Sequence, residues 1–312
     1  MSTTALDERI PAPPPPPPLT PVARIRWDLE HEHAATVPYP PGPSDFSLRR
    51  LNAFDRDPLG MALDYYERYG PVFTLRLFHL KTIWLVGPEA NRHVLLENPK
   101  NFLWRDGNFA DLIPLLGDGM LTIDGAFHRK SRMALVPAFT KDRIARSREL
   151  IDAEVAAAIG ELRPGDRFDL AHWTRELALR VALKALLGFD PDSGERGRQA
   201  ARDFETALSF YGVHPLAQVP RGPGTPWSRM RAAADRLDHL IFDELETRRR
   251  RAATSGEGHG DDLLGLLLDL QAAGGIELED SHLRDQIMTL MFAGHDTTTA
   301  TVSFLFYELA RN

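Results

Sequence analysis

The residues most suited to chemistry lie in an apolar segment near the end of the chain, where residues 291–300 read MFAGHDTTTA. Gly294 costs a helix roughly 1 kcal/mol relative to alanine, and threonines are also poor helix formers. With Ala293 and Thr297, it forms a low-relief patch against which a bulky, flat group can lie. Asp296 lies beside this patch and is expected to have a partner or to move protons. A close helix crossing with back-bonded threonines is the alternative interpretation.

A second candidate group is basic and lies upstream. His128 and Arg132 are four residues apart in a predicted helix, within the segment GMLTIDGAFHRKSRMALVPAFT at 119–140. Side chains at positions i and i+4 share a helix face, so both can reach one anion. Because Arg129 and Lys130 are adjacent, a solvated basic face is the alternative interpretation.

The composition excludes several classes of function. The chain has 312 residues, of which 43% are hydrophobic and 26% charged, as in an ordinary globular protein. Its net charge of −7 gives no basic excess for nucleic-acid binding. Neither a membrane span nor a signal peptide is predicted, so a cytoplasmic protein is expected. The absence of cysteine excludes disulfides, iron–sulfur clusters and a cysteine nucleophile within the chain.

These candidate residues require a helical scaffold, and the hydrophobic pattern predicts a mainly α fold with a minor β-sheet. A helix over 58–69 precedes a hairpin formed by 72–78 and 82–86. Further helices are predicted at 88–97, 125–136, 141–161, 171–188, 195–211, 227–252, 261–272 and 281–311. The last helix has apolar residues on both sides, which predicts that protein encloses it.

The N-terminal residues 1–40 are predicted to form a disordered, proline-rich arm. They include PAPPPPPP at 11–18, which favours an extended polyproline conformation. A spacer is the main interpretation, and an SH3-type ligand is the alternative. His31 and His33 are interpreted as surface histidines rather than metal ligands. The run Arg248–Arg251 is interpreted as a solvated helix end, with contact to a partner protein as the alternative.

The order of residues 293–298, AGHDTT, resembles the central helix motif of the cytochrome P450 family, the haem-thiolate monooxygenases. The resemblance implies that Ala293 and Gly294 let haem and dioxygen approach the helix. It also implies that Asp296 and Thr297 deliver protons as dioxygen is activated.

The upstream group fits the same family. His128 and Arg132, followed by Ala138-Phe139, match the spacing of its propionate-binding helix, which implies that both side chains hold a haem propionate. The resemblance also implies that segments around 105–117 and 205–220 line the substrate pocket. Residues 41–312 are then expected to be an incomplete domain of this family, truncated after the long central helix, because the Glu-x-x-Arg helix and cysteine loop that follow this helix in the family are not present.

The family resemblance implies haem b as cofactor and the reaction of R–H, dioxygen and two electrons to R–OH and water. The resemblance also implies two partners, a small hydrophobic substrate and an electron-donor protein of the ferredoxin or flavin reductase type. The 312-residue chain is expected to be inactive, because no cysteine is present to ligate iron. The alternatives are a non-catalytic helical binding or scaffold protein, a decayed gene product of the family, or an unrelated helical domain with chance motifs.

Overall fold

The computed structural model describes residues 15–17, 20–274 and 279–312. These residues divide into two compact units. The hairpin unit contains the described residues up to Asp111 together with Phe210–Ser228, and the helical unit contains the described residues of Leu112–Ser209 and Arg229–Asn312.

The hairpin unit is organised around a two-stranded antiparallel sheet. Its strands are β1 (Val72–Leu77) and β2 (Leu80–Leu85), paired from Val72↔Leu85 to Leu77↔Leu80. Its helices are α1 (Pro21–Ala34), α2 (Leu48–Arg56), α3 (Pro58–Tyr69), α4 (Pro88–Arg92, continued by a π-helical turn His93–Glu97) and α10 (Pro215–Gln218). The 3₁₀ turns are Pro99–Asn101 and Asn108–Leu112, the second ending at the unit boundary.

The local signals around α3 place its ends where the sequence predicts them. The Asp57 carboxylate accepts a hydrogen bond from the Gly60 amide at 2.8 Å, which caps the first turn. Gly70 follows the last residue with φ of 84°, a conformation that favours glycine and ends the helix. The predicted helix, hairpin and intervening turn are therefore confirmed.

The prediction of a disordered arm over 1–40 is wrong for Pro21–Ala34, which form α1. The sequence contains few apolar residues here. Helix α1 nevertheless packs against the hairpin, through buried charged side chains rather than through an apolar stripe. Arg24 is only 8% exposed. Most of the polyproline run lies outside the described residues. Glu32, between the two histidines, binds Lys81 and Arg76, and among the described residues no group of acidic and histidine side chains is placed to hold a metal.

The helical unit consists mainly of α-helices that pack against one another. They are α5 (Ile113–Leu116), α6 (Gly125–Leu135, followed by the 3₁₀ turn Val136–Phe139), α7 (Lys141–Gly160), α8 (Leu170–Leu187), α9 (Glu195–Ser209), α11 (Pro226–Ser255, beginning at the unit boundary), α12 (Leu263–Ala272) and α13 (Asp280–Arg311). The mainly α fold with a minor sheet is confirmed. No helix in the described ranges combines the length and apolar character needed to cross a membrane.

The core of the helical unit closes around the first half of α13. Its fully buried residues include Leu183, Leu187, Phe204, Met230, Leu237, Ile241, Leu264, Leu283, Ile287 and Met291. The second half of α13 differs, since Phe304 is 69% exposed and most of the last turns face solvent. The prediction that protein encloses the whole helix is therefore wrong for most described residues beyond about Phe292, with His295 and Thr299 buried. Apolar residues on both sides of a helix predict two surfaces that are unfavourable in water. The pattern does not show which residues, if any within the described ranges, bury those surfaces.

Candidate functional site

The chemistry-bearing segment of α13 follows a firmly anchored half-helix. Asp285 accepts a hydrogen bond from the Asp118 amide at 2.7 Å, and Gln286 accepts one from the Met120 amide at 3.2 Å. The Arg284 guanidinium donates to Asp285 at 3.0 Å. Burial raises the pKa of Asp285 although this cation lowers it. These contacts fix α13 to the loop that precedes α6.

Ala293 and Gly294 form the predicted low-relief patch. Ala293 is partly buried and Gly294 exposed, and a methyl group added at Gly294 would meet no atom within 4 Å. No close helix crossing therefore explains this glycine among the described residues. Thr297 donates its hydroxyl to the Ala293 carbonyl at 2.5 Å, so the back-bonding of the alternative interpretation is present as well. The Thr297 oxygen retains its lone pairs for accepting a further hydrogen bond.

Asp296 is not buried as the sequence pattern suggested, because 53% of its side chain is exposed. It does have the expected partners. Its carboxylate lies 3.6 Å from Nε of Arg175 on α8 and 3.0 Å from Nδ1 of His295. Arg175 was not identified from the sequence, and nothing in its neighbourhood, WTREL at 173–177, distinguishes it from a surface arginine.

His295 is the buried member of the His-Asp pair. It is 1% exposed and meets the edge of Phe204 on α9, with ring centroids 5.6 Å apart. Neither ring nitrogen forms a well-aligned hydrogen bond within the described structure. Burial lowers the pKa of His295, although the Asp296 carboxylate raises it. Burial therefore disfavours the charged form of this imidazole.

His128 and Arg132 share one face of α6, as their spacing predicts. Arg132 is exposed and His128 partly buried. Neither side chain forms a hydrogen bond or ion pair with a described residue. Burial lowers the pKa of His128, and the charge of Arg132 lowers it further. The pair thus offers one neutral N–H donor and one permanent cation to an anion.

The two predicted groups do not bond to each other. α6 meets α13 where Phe127 and His282 place their rings 5.0 Å apart. His282 precedes Ala293 by eleven residues, or ~16 Å of helix.

A groove of about 550 Å³ runs between α8 and the second half of α13. It is lined by Ala171, Arg175, Asp296, Thr299, Ala300, Ser303, Phe304 and Tyr307. The Ser303 hydroxyl inside it has no hydrogen-bond partner in the described structure. The carboxylate of Asp296 therefore opens onto a largely apolar surface rather than onto a closed core.

Comparison with known proteins matches residues 40–312 to the family model for cytochrome P450. One relative is cyclooctat-9-en-7-ol 5-monooxygenase of Streptomyces melanosporofaciens, 32% identical over 243 residues, covering 77% of this chain and 52% of the relative. Cytochrome P450 135B1 of Mycobacterium tuberculosis is 29% identical, covering 88% of this chain and 57% of its own length.

The fold is also similar to a solved structure, retinoic acid-bound cyanobacterial CYP120A1. The TM-score is 0.66 at 23% identity, over 86% of this chain and 59% of that one. The present chain spans about half the length of the curated relatives it matches. The family model covers most of the chain and includes α6 and α13 with their predicted site residues. The chain therefore belongs to the cytochrome P450 family, whose cofactor is haem.

Proposed function

We propose that this chain is the N-terminal part of a haem monooxygenase that converts R–H, dioxygen and two electrons into R–OH and water. The observation that carries the proposal is the exposed α13 patch, where Gly294 opens onto free space beside Asp296 and Thr297. A patch explained only by helix packing would be covered by a neighbouring helix. The family match over 40–312 supports the same reading.

The residues present fit part of haem. His128 and Arg132 supply an imidazole donor and a cation, neither of which forms a hydrogen bond or ion pair with a described residue, and this suits a propionate. Ala293 and Gly294 supply a flat apolar surface for a macrocycle. These residues do not supply the thiolate ligand of the iron, because the 312 residues contain no cysteine. Residues 41–312 are accordingly proposed to be an incomplete domain.

When bound, haem supplies the redox chemistry with dioxygen. The protein's own contribution on α13 is proton transfer. The Asp296 side chain is half exposed, so water can reach its carboxylate, and the Arg175 guanidinium lies 3.6 Å away. Thr297 donates to the Ala293 carbonyl at 2.5 Å and can accept a proton-carrying water at its oxygen. We propose that protons pass from Asp296 through such a water to the Thr297 hydroxyl.

The substrate and the electron source are proposed at the level of chemical class. Segments around 105–117 and 205–220 are proposed to line the substrate pocket, and a small hydrophobic molecule is proposed as the substrate. Two electrons per turnover require a donor, for which a ferredoxin or a flavin reductase is proposed. The chain by itself is proposed to be catalytically inert, because no residue in it supplies a thiolate.

Haem titration of the purified chain tests the first part. We expect the unsubstituted chain to take up haem weakly and the double variant His128→Ala/Arg132→Ala to take up less. The variant Arg129→Ala is a matched control on the same helix. Equal uptake by all three proteins would contradict the propionate assignment. A thiolate–carbon monoxide absorption band from the chain with haem would contradict the proposed inactivity.

Sequencing the source DNA beyond the codon for Asn312 tests the second part. An open frame encoding a Glu-x-x-Arg helix and a cysteine loop would support the monooxygenase. A stop codon at that point would favour the alternative, a non-catalytic binding or scaffold protein of the same family.

A further inference from the structure

Helix α1 precedes the family match at residue 40, yet it carries a line of buried charge. Arg24, Asp28 and Glu32 follow one another at intervals of four residues and share one face of the helix. Arg24 is 8% exposed, and the side chains of Asp28 and Glu32 are also largely covered. Burying three charged side chains is costly unless each is paired, so the partners of this face are informative.

The C-terminal end of this face holds the hairpin. Glu32 accepts a hydrogen bond from Lys81 at 3.1 Å and also binds Arg76. Asp28 lies 2.6 Å from Nδ1 of His79 in the hairpin turn. These contacts dock α1 on the sheet and explain its order, but they do not explain Arg24.

Arg24 reaches in the other direction. Its Nε donates to Asp28 at 3.1 Å, and its Nη1 donates to Asp111 at 3.0 Å. The planar, forked guanidinium presents these two donors in a fixed geometry. Asp111 belongs to the 3₁₀ turn Asn108–Leu112, at the end of the hairpin unit.

Asp111 also binds the second segment of the same unit. Its backbone carbonyl accepts a hydrogen bond from the Tyr211 hydroxyl at 3.2 Å. The loop after Tyr211 is folded back by Gln218, whose amide donates to the Val213 carbonyl at 2.9 Å. Asp111 therefore joins α1, the 108–112 turn and the segment leading to α10.

We propose that Arg24 is a positioning residue that holds the two segments flanking the substrate pocket in register through Asp111. A helix outside the region matched by the family model would then help to set which substrates are admitted. The pocket assignment rests on the proposed function, but the contact between the three segments does not. The test is therefore made on the structure of the chain and needs no haem.

Hydrogen–deuterium exchange of Arg24→Met provides that test. Losing a charge-assisted hydrogen bond should speed exchange roughly tenfold at the Ala110 amide and in α10, with the amides of β1 and β2 unchanged. Arg26→Met is the matched control, since Arg26 is exposed on the same helix and has no hydrogen bond or ion pair with a described residue. Glu32→Gln should instead loosen α1 and the hairpin turn, and leave Ala110 protected.

Asp111→Asn is a second route if Arg24→Met does not fold. It should accelerate the same amides, and the double variant should exchange no faster than either single variant. Unchanged exchange at Ala110 in both variants, or a uniform increase across the hairpin unit, would overturn the proposal. Haem uptake is measured on the same Arg24→Met protein to keep the two proposals apart. A loss of haem uptake would concern the proposed cofactor binding, whereas a change in amide exchange concerns the proposed role of Arg24.

Discussion

The two halves of α13 differ in burial and in the contacts that they form. Its first half, from Asp280 to Met291, is buried and fastened by Arg284, Asp285 and Gln286. Its second half exposes Asp296, Thr297 and most of its aromatic residues. The difference indicates that the anchoring contacts of α13 lie mainly in its first half, although His295 and Thr299 are buried in the second. We propose that the first half holds the helix in place so that the second can present Asp296 and Thr297 on a surface.

Asp285→Ala should have the largest effect on this division. The substitution removes the acceptor of the Asp118 amide and of Arg284, both inside the helical unit. Breaking a buried charge pair costs about 3–5 kcal/mol, and the remaining contact of Arg284 with Asp238 favours the lower end. Urea unfolding of the chain measures it. Asp296→Ala is the matched control in the exposed half, with an expected change within about 0.5 kcal/mol. Equal losses in both variants would contradict the division.

Met291→Ala and Phe304→Ala sharpen the comparison with apolar side chains. Met291 is fully buried and Phe304 is 69% exposed. A cavity at Met291 should lower the free energy of unfolding by about 2–5 kcal/mol. Phe304→Ala should leave it nearly unchanged and reduce self-association, because it removes part of an exposed apolar face. Thermal unfolding and analytical ultracentrifugation measure the two effects. A stability loss at Phe304 similar to that at Met291 would show that the second half is also core.

Much of this architecture follows from sequence signals because those signals are local. The Asp57 cap and the Gly70 stop act on neighbouring backbone groups, so α3 can be predicted from its own residues. Small residues at Ala293 and Gly294 likewise mark the patch on α13. The family resemblance rests on the same short motifs.

The features that escaped prediction depend on distant partners. Helix α1 has little apolar pattern, and its order comes from Glu32 pairing with Lys81 and Arg76 far along the chain. Arg248 was interpreted as part of a solvated helix end, yet its side chain is largely buried, because it also binds Asp262 and the Leu187 carbonyl. No pattern within one helix indicates such long-range pairs, which is also why Arg175 was missed.

His295 should give a pH-dependent effect of intermediate size. Burial holds its pKa below the ordinary value of 6.5 in the folded chain. Below that pH the unfolded state binds a proton that the folded state does not, so stability falls as pH decreases, by at most about 1.4 kcal/mol per pH unit. His295→Leu should remove this part of the slope between about pH 6.5 and the lower folded pKa. His128, whose pKa burial also lowers, contributes equally to both proteins and cancels in the difference. Parallel stability curves for the two proteins would mean that His295 titrates normally.

Arg175→Ala should have the smallest effect on stability. The Arg175–Asp296 pair is 3.6 Å long and both side chains are about half exposed, and such pairs contribute about 0–1 kcal/mol. We expect a loss within this range at low ionic strength that disappears near 1 M salt, where charges are screened beyond ~3 Å. Arg180→Ala is a suitable control on α8, because Arg180 pairs with the loop residue Asp192 rather than with α13. A larger loss that persists in high salt would mean that Arg175 fastens the second half of α13 to α8, so that this half also stabilises the fold.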